Sequence, residues 1–148
     1  MPLQMEIDSN DLRRLNRALK RLGQQDLLQA QLKAIAQDIQ GKAAKYPPAL
    51  PFNPNGWWWE RGWGWWAWGE KQAKTSDDMA SKWYIKAFPS YAEIGNLASY
   101  AGYVHGDAQA PVHRTHGWLK LYDVALDNMP KLIEKAKANI RAIWEARV

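Results

Sequence analysis

The hydrophobic pattern of the first half is helical. Leu12, Leu15, Leu19 and Leu22 recur at helical spacing, and Gly23 follows as a natural stop. Asp8, Ser9 and Asn10 stand just ahead as capping candidates. Leu28, Leu32, Ile35 and Ile39 form a second apolar seam within a helix predicted over Asp26–Lys45. So few residues join the two helices that they are expected to pack as antiparallel neighbours. Tyr46-Pro47-Pro48 ends the second helix, because proline lacks the donor and restricts the residue before it. Leu3–Ile7 reads as a short strand ahead of both.

The period then changes. After a connector holding Pro51, Pro54 and the turn signal Asn55-Gly56, Trp63 and Trp65 alternate with Gly62 and Gly64. Met79–Phe88 reads as a return strand with Trp83, Ile85 and Ala87 on one face. Pro89 closes it, and Tyr91–Asn96 reads as a further strand. Tyr100 and Tyr103 sit at helical-turn spacing before Gly106, and Asp107–Gly117 reads as loop. From Trp118 the pattern is helical again through Leu121, Ala125, Met129, Ile133, Ala136, Ile140 and Trp144. Asn128 is placed to cap a new helix with Pro130 in its first turn, so a break or kink is expected there. This order predicts an α+β fold: two N-terminal helices, an antiparallel sheet with a long Trp-rich hairpin, and a long C-terminal helix. The 148 residues are expected to form a single domain, with the hairpin over about 56–89 protruding as an arm.

Composition sharpens the picture at one place. Seven of the ten tryptophans lie between Trp57 and Trp68. The helical seams already supply a small core, and seven more clustered indoles would overfill it. Left bare, they would exceed the roughly 300–600 Å² apolar patch usual for a monomer. Trp57, Trp58, Trp59, Trp63, Trp65, Trp66 and Trp68 are therefore expected to divide between core and a partner interface. With no cysteine there is neither a disulfide framework nor thiolate chemistry. The N-terminus lacks the basic and apolar regions of a signal peptide, and no apolar run approaches the roughly 20 residues of a membrane span.

The net charge of +5 permits contact with acidic surfaces without demanding it. Arg13, Arg14, Arg17, Lys20 and Arg21 line the polar face of the first helix. A solvated surface accounts for them. The functional alternative is a basic stripe, Arg13, Arg17 and Lys20, making salt-sensitive, sequence-independent contacts with DNA.

Candidate chemistry is thin. His105, His113 and His116 fall within twelve residues, with Asp107 nearby. They follow no metal motif, and Pro111 and Gly117 argue for loop. Histidines hydrogen-bonded to backbone are expected rather than a metal site. Glu60, Glu70, Asp77, Asp78, Glu93 and Asp107 include no pair that spacing selects as acid and base. There is no Gly-x-Ser-x-Gly elbow and no Walker loop. Neither an enzyme nor a cofactor is expected.

Several stretches together carry a family resemblance. They are the two opening helices, the stop at Lys45-Tyr46-Pro47-Pro48, Ile94-Gly95-Asn96, and Tyr100-Ala101-Gly102-Tyr103-Val104-His105-Gly106. Gln109, His113, Gly117-Trp118 and the closing helix continue the series. In this order the chain resembles the small head–tail connector and tail-completion proteins of long-tailed double-stranded DNA bacteriophages, including tail-terminator-like neck proteins. The likeness covers nearly the whole chain. Arg61-Gly62-Trp63-Gly64 stands where such proteins usually carry a Thr-Gly-x-Leu-like element. The resemblance implies a structural virion protein, assembled in the host cytoplasm and built into the neck or tail. Its partners would be further copies of itself in a ring, other neck or tail proteins, and passing DNA, with no membrane. Its signature loop would comprise Gly95, Asn96, Tyr100, Tyr103, His105, Gly106, His113 and Trp118. The alternative is a non-catalytic carbohydrate-binding module using the Trp cluster. A small cell-wall enzyme and a membrane-active protein are further rivals.

Overall fold

A computed structural model describes residues 2–45, 79, 81–115 and 117–147. Ser9 opens the first helix, α1 (Asn10–Arg21), in extended backbone, and its hydroxyl accepts from the Leu12 amide at 3.2 Å. Leu22 ends α1, and Gly23 takes φ +68, the left-handed conformation that glycine adopts without a Cβ penalty. Helix α2 (Gln25–Ala43) follows at once, so the two helices turn back on each other as the spacing predicts.

Among the described residues the sheet has three antiparallel strands in the order β1 (Leu3–Ile7), β3 (Ala92–Asn96), β2 (Trp83–Ala87). The fold is thus α+β, with the helices placed as expected. The register aligns Met5, Ile94 and Ile85 on the apolar face and Gln4, Gly95 and Tyr84 on the other. Strands β2 and β3 form a hairpin, with the Phe88 amide donating to the Tyr91 carbonyl at 2.8 Å and the two rings stacked.

The long helix α5 (Leu121–Arg147) lies along α2, with Lys42 bonded to Asn128 and Asn139 to Gln31. The two helices run antiparallel. Their shared core includes Leu28, Leu32, Ile39 and Leu121, all essentially without exposure. Each such side chain contributes roughly 1.5–3 kcal/mol by leaving water.

Three expectations are corrected. The return strand begins at Trp83, not Met79: Met79 and Ser81 lie in a helical turn, closed by the Lys82 amide on the Met79 carbonyl at 3.1 Å. The stretch Asp107–Gly117 is not all loop. It contains the short helix α4 (Pro111–Thr115), where proline occupies the first turn and needs no donor. Finally, Asn128 does not start a new helix. Helix α5 runs through Pro130 unbroken, and Asn128 bonds back to the Val124 carbonyl at 2.7 Å. Pro130 and the exposed Leu126 face solvent, so the carbonyl freed by the missing N–H is on the watered side. The Trp57–Trp68 stretch, and with it most of the proposed arm, lies outside the described residues.

Candidate functional site

The signature residues converge on one corner at the Asn96 end of the sheet. It is built from β3, the helical turn α3 (Ala101–His105), α4 and the entry to α5. Asn96 is completely buried. Its amide nitrogen donates to the Met79 carbonyl at 2.8 Å, and its amide oxygen accepts from the Ala98 backbone at 2.9 Å. Gly95, just before it, lies under the Tyr84 ring, where a Cβ would collide. Burial and the nearby Glu93 carboxylate raise the Tyr84 pKa.

Gln109 closes the corner. Its amide nitrogen donates to the carbonyls of Val104 and Trp118, both at 2.8 Å, tying α3 to the chain entering α5. Gly106 packs where a Cβ would come within 2.7 Å of the Gly102 carbonyl oxygen, so the turn out of α3 has no room for a side chain. Met79, Ala98, Ala101, Val104 and Trp118 form a separate small apolar cluster, with Tyr100 packed at its edge.

His105 is fully buried, with its ring centroid 5.4 Å from those of both Trp83 and Trp118. Its Nδ1 lies 2.6 Å from the Leu119 carbonyl oxygen, which can only accept. The proton therefore sits on Nδ1, and Nε2 carries the lone pair. That Nε2 is buried without a hydrogen-bond partner among the described residues. Burial lowers the His105 pKa; the Leu119 bond opposes this, and the nearby His113 lowers it further. His113 uses its own Nδ1 on the Tyr103 carbonyl at 2.8 Å. Both rings bond to backbone, as expected, although from α3 and α4 rather than from loop. His116 lies outside the described residues. Among the described residues, no group of three His, Asp or Glu side chains gathers as metal ligands.

The signature therefore divides. Gly95, Asn96, His105, Gly106 and Trp118 are buried, Tyr100 and His113 partly so, and Tyr103 is half exposed. The Asn96 and Gln109 amides and the Nδ1 atoms of His105 and His113 bond to backbone carbonyls and amides. What this arrangement does is hold a chain path. The roles of Gln109 and Trp83 were hidden from spacing: a glutamine in a polar stretch and an aromatic in a strand carry no sign of their distant partners.

Arg13, Arg17 and Lys20 are exposed along one face of α1. Arg13 is not a free cation. It donates to Asp8 through Nε at 2.9 Å and through its terminal nitrogen at 2.6 Å, and that bond raises its pKa. Arg13, Arg14 and Arg17 share a hollow of about 700 Å³ with Glu6 and Asp8, so this end of the stripe is of mixed sign. Among the described residues, no helix is long and apolar enough to cross a membrane.

Compared with known proteins, the chain matches no family model, no curated protein and no solved structure.

Proposed function

We propose that the chain is a structural virion protein of a long-tailed phage. Copies form a ring in the neck or at the tail end and join the DNA-filled head to the tail. One observation carries the reading: those of residues 95–118 that carry the family resemblance meet in one corner. There they hold chain path through Asn96, Gln109, His105 and the two glycines. A signature spent on shape suits a protein that works by assembly. A ring is a head-to-tail interface whose rotation closes. The tryptophans of residues 57–68 are its anchors, and Arg17 and Lys20 are free to meet passing DNA through non-specific charge contacts.

The test is sedimentation velocity across a wide concentration range, with negative-stain images of the heaviest species. A closed ring is the expected result. A monomer at every concentration, with retention on insoluble polysaccharide and quenched tryptophan fluorescence, would replace this reading by carbohydrate binding.

A further inference from the structure

Residues 97–120, between β3 and α5, are attached to the fold differently from their neighbours. Among the described residues, none of their side chains belongs to the main core, whose buried members end at Ile94 and begin again at Leu121. They pack instead in the small separate cluster, where Ala98, Ala101, Val104 and Trp118 enclose Met79. Both ends of the segment are fixed, at Asn96 in the sheet and at Leu121 in the helical seam. The segment is therefore a flap held at two points, and its departure takes no side chain out of the helical layer. A unit of this kind opens at its own free energy, below that of the whole fold.

His105 lies in this flap and, among the described residues, is the one titratable side chain that is fully buried. It meets Trp83 from β2, Trp118 and Leu119 from the entry to α5, and His113 from α4. His113 disfavours a second positive charge beside it, and the flap's Asp107, Arg114 and Lys120 exert no effect on it. Its Nδ1 already serves the Leu119 carbonyl, so an added proton goes to Nε2. That atom has no hydrogen-bond partner among the described residues. The closed flap would then bury both a charge and an unmade hydrogen bond. Indole faces attract a cation, but they do not replace the missing acceptor. Once the flap opens, water supplies it.

We infer that residues 97–120 are an acid-opened flap: a proton on His105 Nε2 releases the segment from the Asn96 end of the sheet and bares Met79 and Trp83 beneath it. With the flap open the ring titrates near 6.5, and with it closed burial holds the value lower. Above 6.5 the ratio of closed to open flap is constant. Between the two values it falls by up to about tenfold for each pH unit of acidification. The flap does not depend on how many copies of the chain assemble.

The test is hydrogen exchange of the full chain, read by mass spectrometry across mildly acidic to neutral pH and corrected for intrinsic rates. Protection of peptides within residues 97–120 should fall by up to about tenfold per pH unit below 6.5, while α2 and the second half of α5 keep theirs. His105→Asn keeps an N–H for the Leu119 carbonyl and takes no second proton, so it should abolish the fall. His113→Gln should retain most of it. A loss that strikes every element at the same pH is global unfolding and overturns the flap. Constant protection of residues 97–120 overturns it as well, and so does His105→Asn with the wild-type profile. Should His105→Asn fail to close the flap at any pH, the wild-type ring is titrated by NMR instead. Protonation of His105 in step with the loss of protection upholds the flap, and protonation inside an intact flap overturns it.

Discussion

The helical layer and the Asn96 corner are stabilised in different ways. Between α2 and α5 the contacts are aliphatic and periodic: Leu28, Leu32, Ile35 and Ile39 meet Val124, Ile133, Ala136 and Ile140. No one of those residues chooses a unique partner, since any side chain of similar volume satisfies the seam. In the corner the partners are named. Asn96 holds Met79 and Ala98, Gln109 holds Val104 and Trp118, and His105 holds Leu119. Burial without those bonds would cost more than the apolar contacts return. The helical seam tolerates a change of identity at constant volume; the corner tolerates neither, because its hydrogen bonds fix the partners and a Cβ at Gly95 or Gly106 would collide.

The sharpest test compares two substitutions that nearly conserve volume. Asn96→Asp keeps the outline of the side chain but removes the donor to the Met79 carbonyl, leaving two oxygens facing each other in a buried site. A loss of about 3 kcal/mol is expected. Leu32→Met, in an equally buried position, should cost about 1 kcal/mol or less. Urea midpoints of the two proteins measure the difference. Equal losses would mean that the corner is held by packing alone.

The same contrast explains what was legible in the chain. Leucine spacing located α1 and α2, Ser9 and Gly23 bounded the first of them, and the strand read at Tyr91–Asn96, ending at Gly95-Asn96, lies within a residue of Ala92–Asn96. Prolines misled twice, at Pro111 and Pro130. As a breaker, proline marks a boundary; in the first turn of α4 or on the wet side of α5 it costs little, and only the fold reveals which applies. The corner was visible as unusual sequence but not as mechanism. The Asn96–Met79 bond spans 17 residues, and no local rule reports such a partner.

A smaller effect comes from proton linkage at His105. The unfolded chain titrates this group near its ordinary value of 6.5, whereas in the folded corner burial lowers it. A proton therefore binds the unfolded state more readily. The neutral ring contributes its full stability above pH 6.5, and that contribution is lost as pH falls below 6.5 towards the lowered folded value. The slope cannot exceed about 1.4 kcal/mol per pH unit for one proton. His105→Asn retains an N–H for the Leu119 carbonyl and does not titrate. Its stability below pH 6.5 should be flatter than that of the wild type, with His113 present in both. Matching slopes would assign the acid sensitivity to other groups.

The smallest effect belongs to the polar face of α1, which is organised neither by burial nor by a chosen interior partner. Arg13 and Asp8 bond at good distances, yet the arginine side chain is 65% exposed and the pair is screened by solvent and salt. Arg13→Ala should leave the urea midpoint where it was, at low salt and at high salt alike. A shift approaching that of Asn96→Asp would show that distance alone makes a strong contact. An unmoved midpoint would place the difference between the two regions in desolvation, because the buried Met79 carbonyl has no water to turn to when the Asn96 donor is taken away, and the Asp8 carboxylate does.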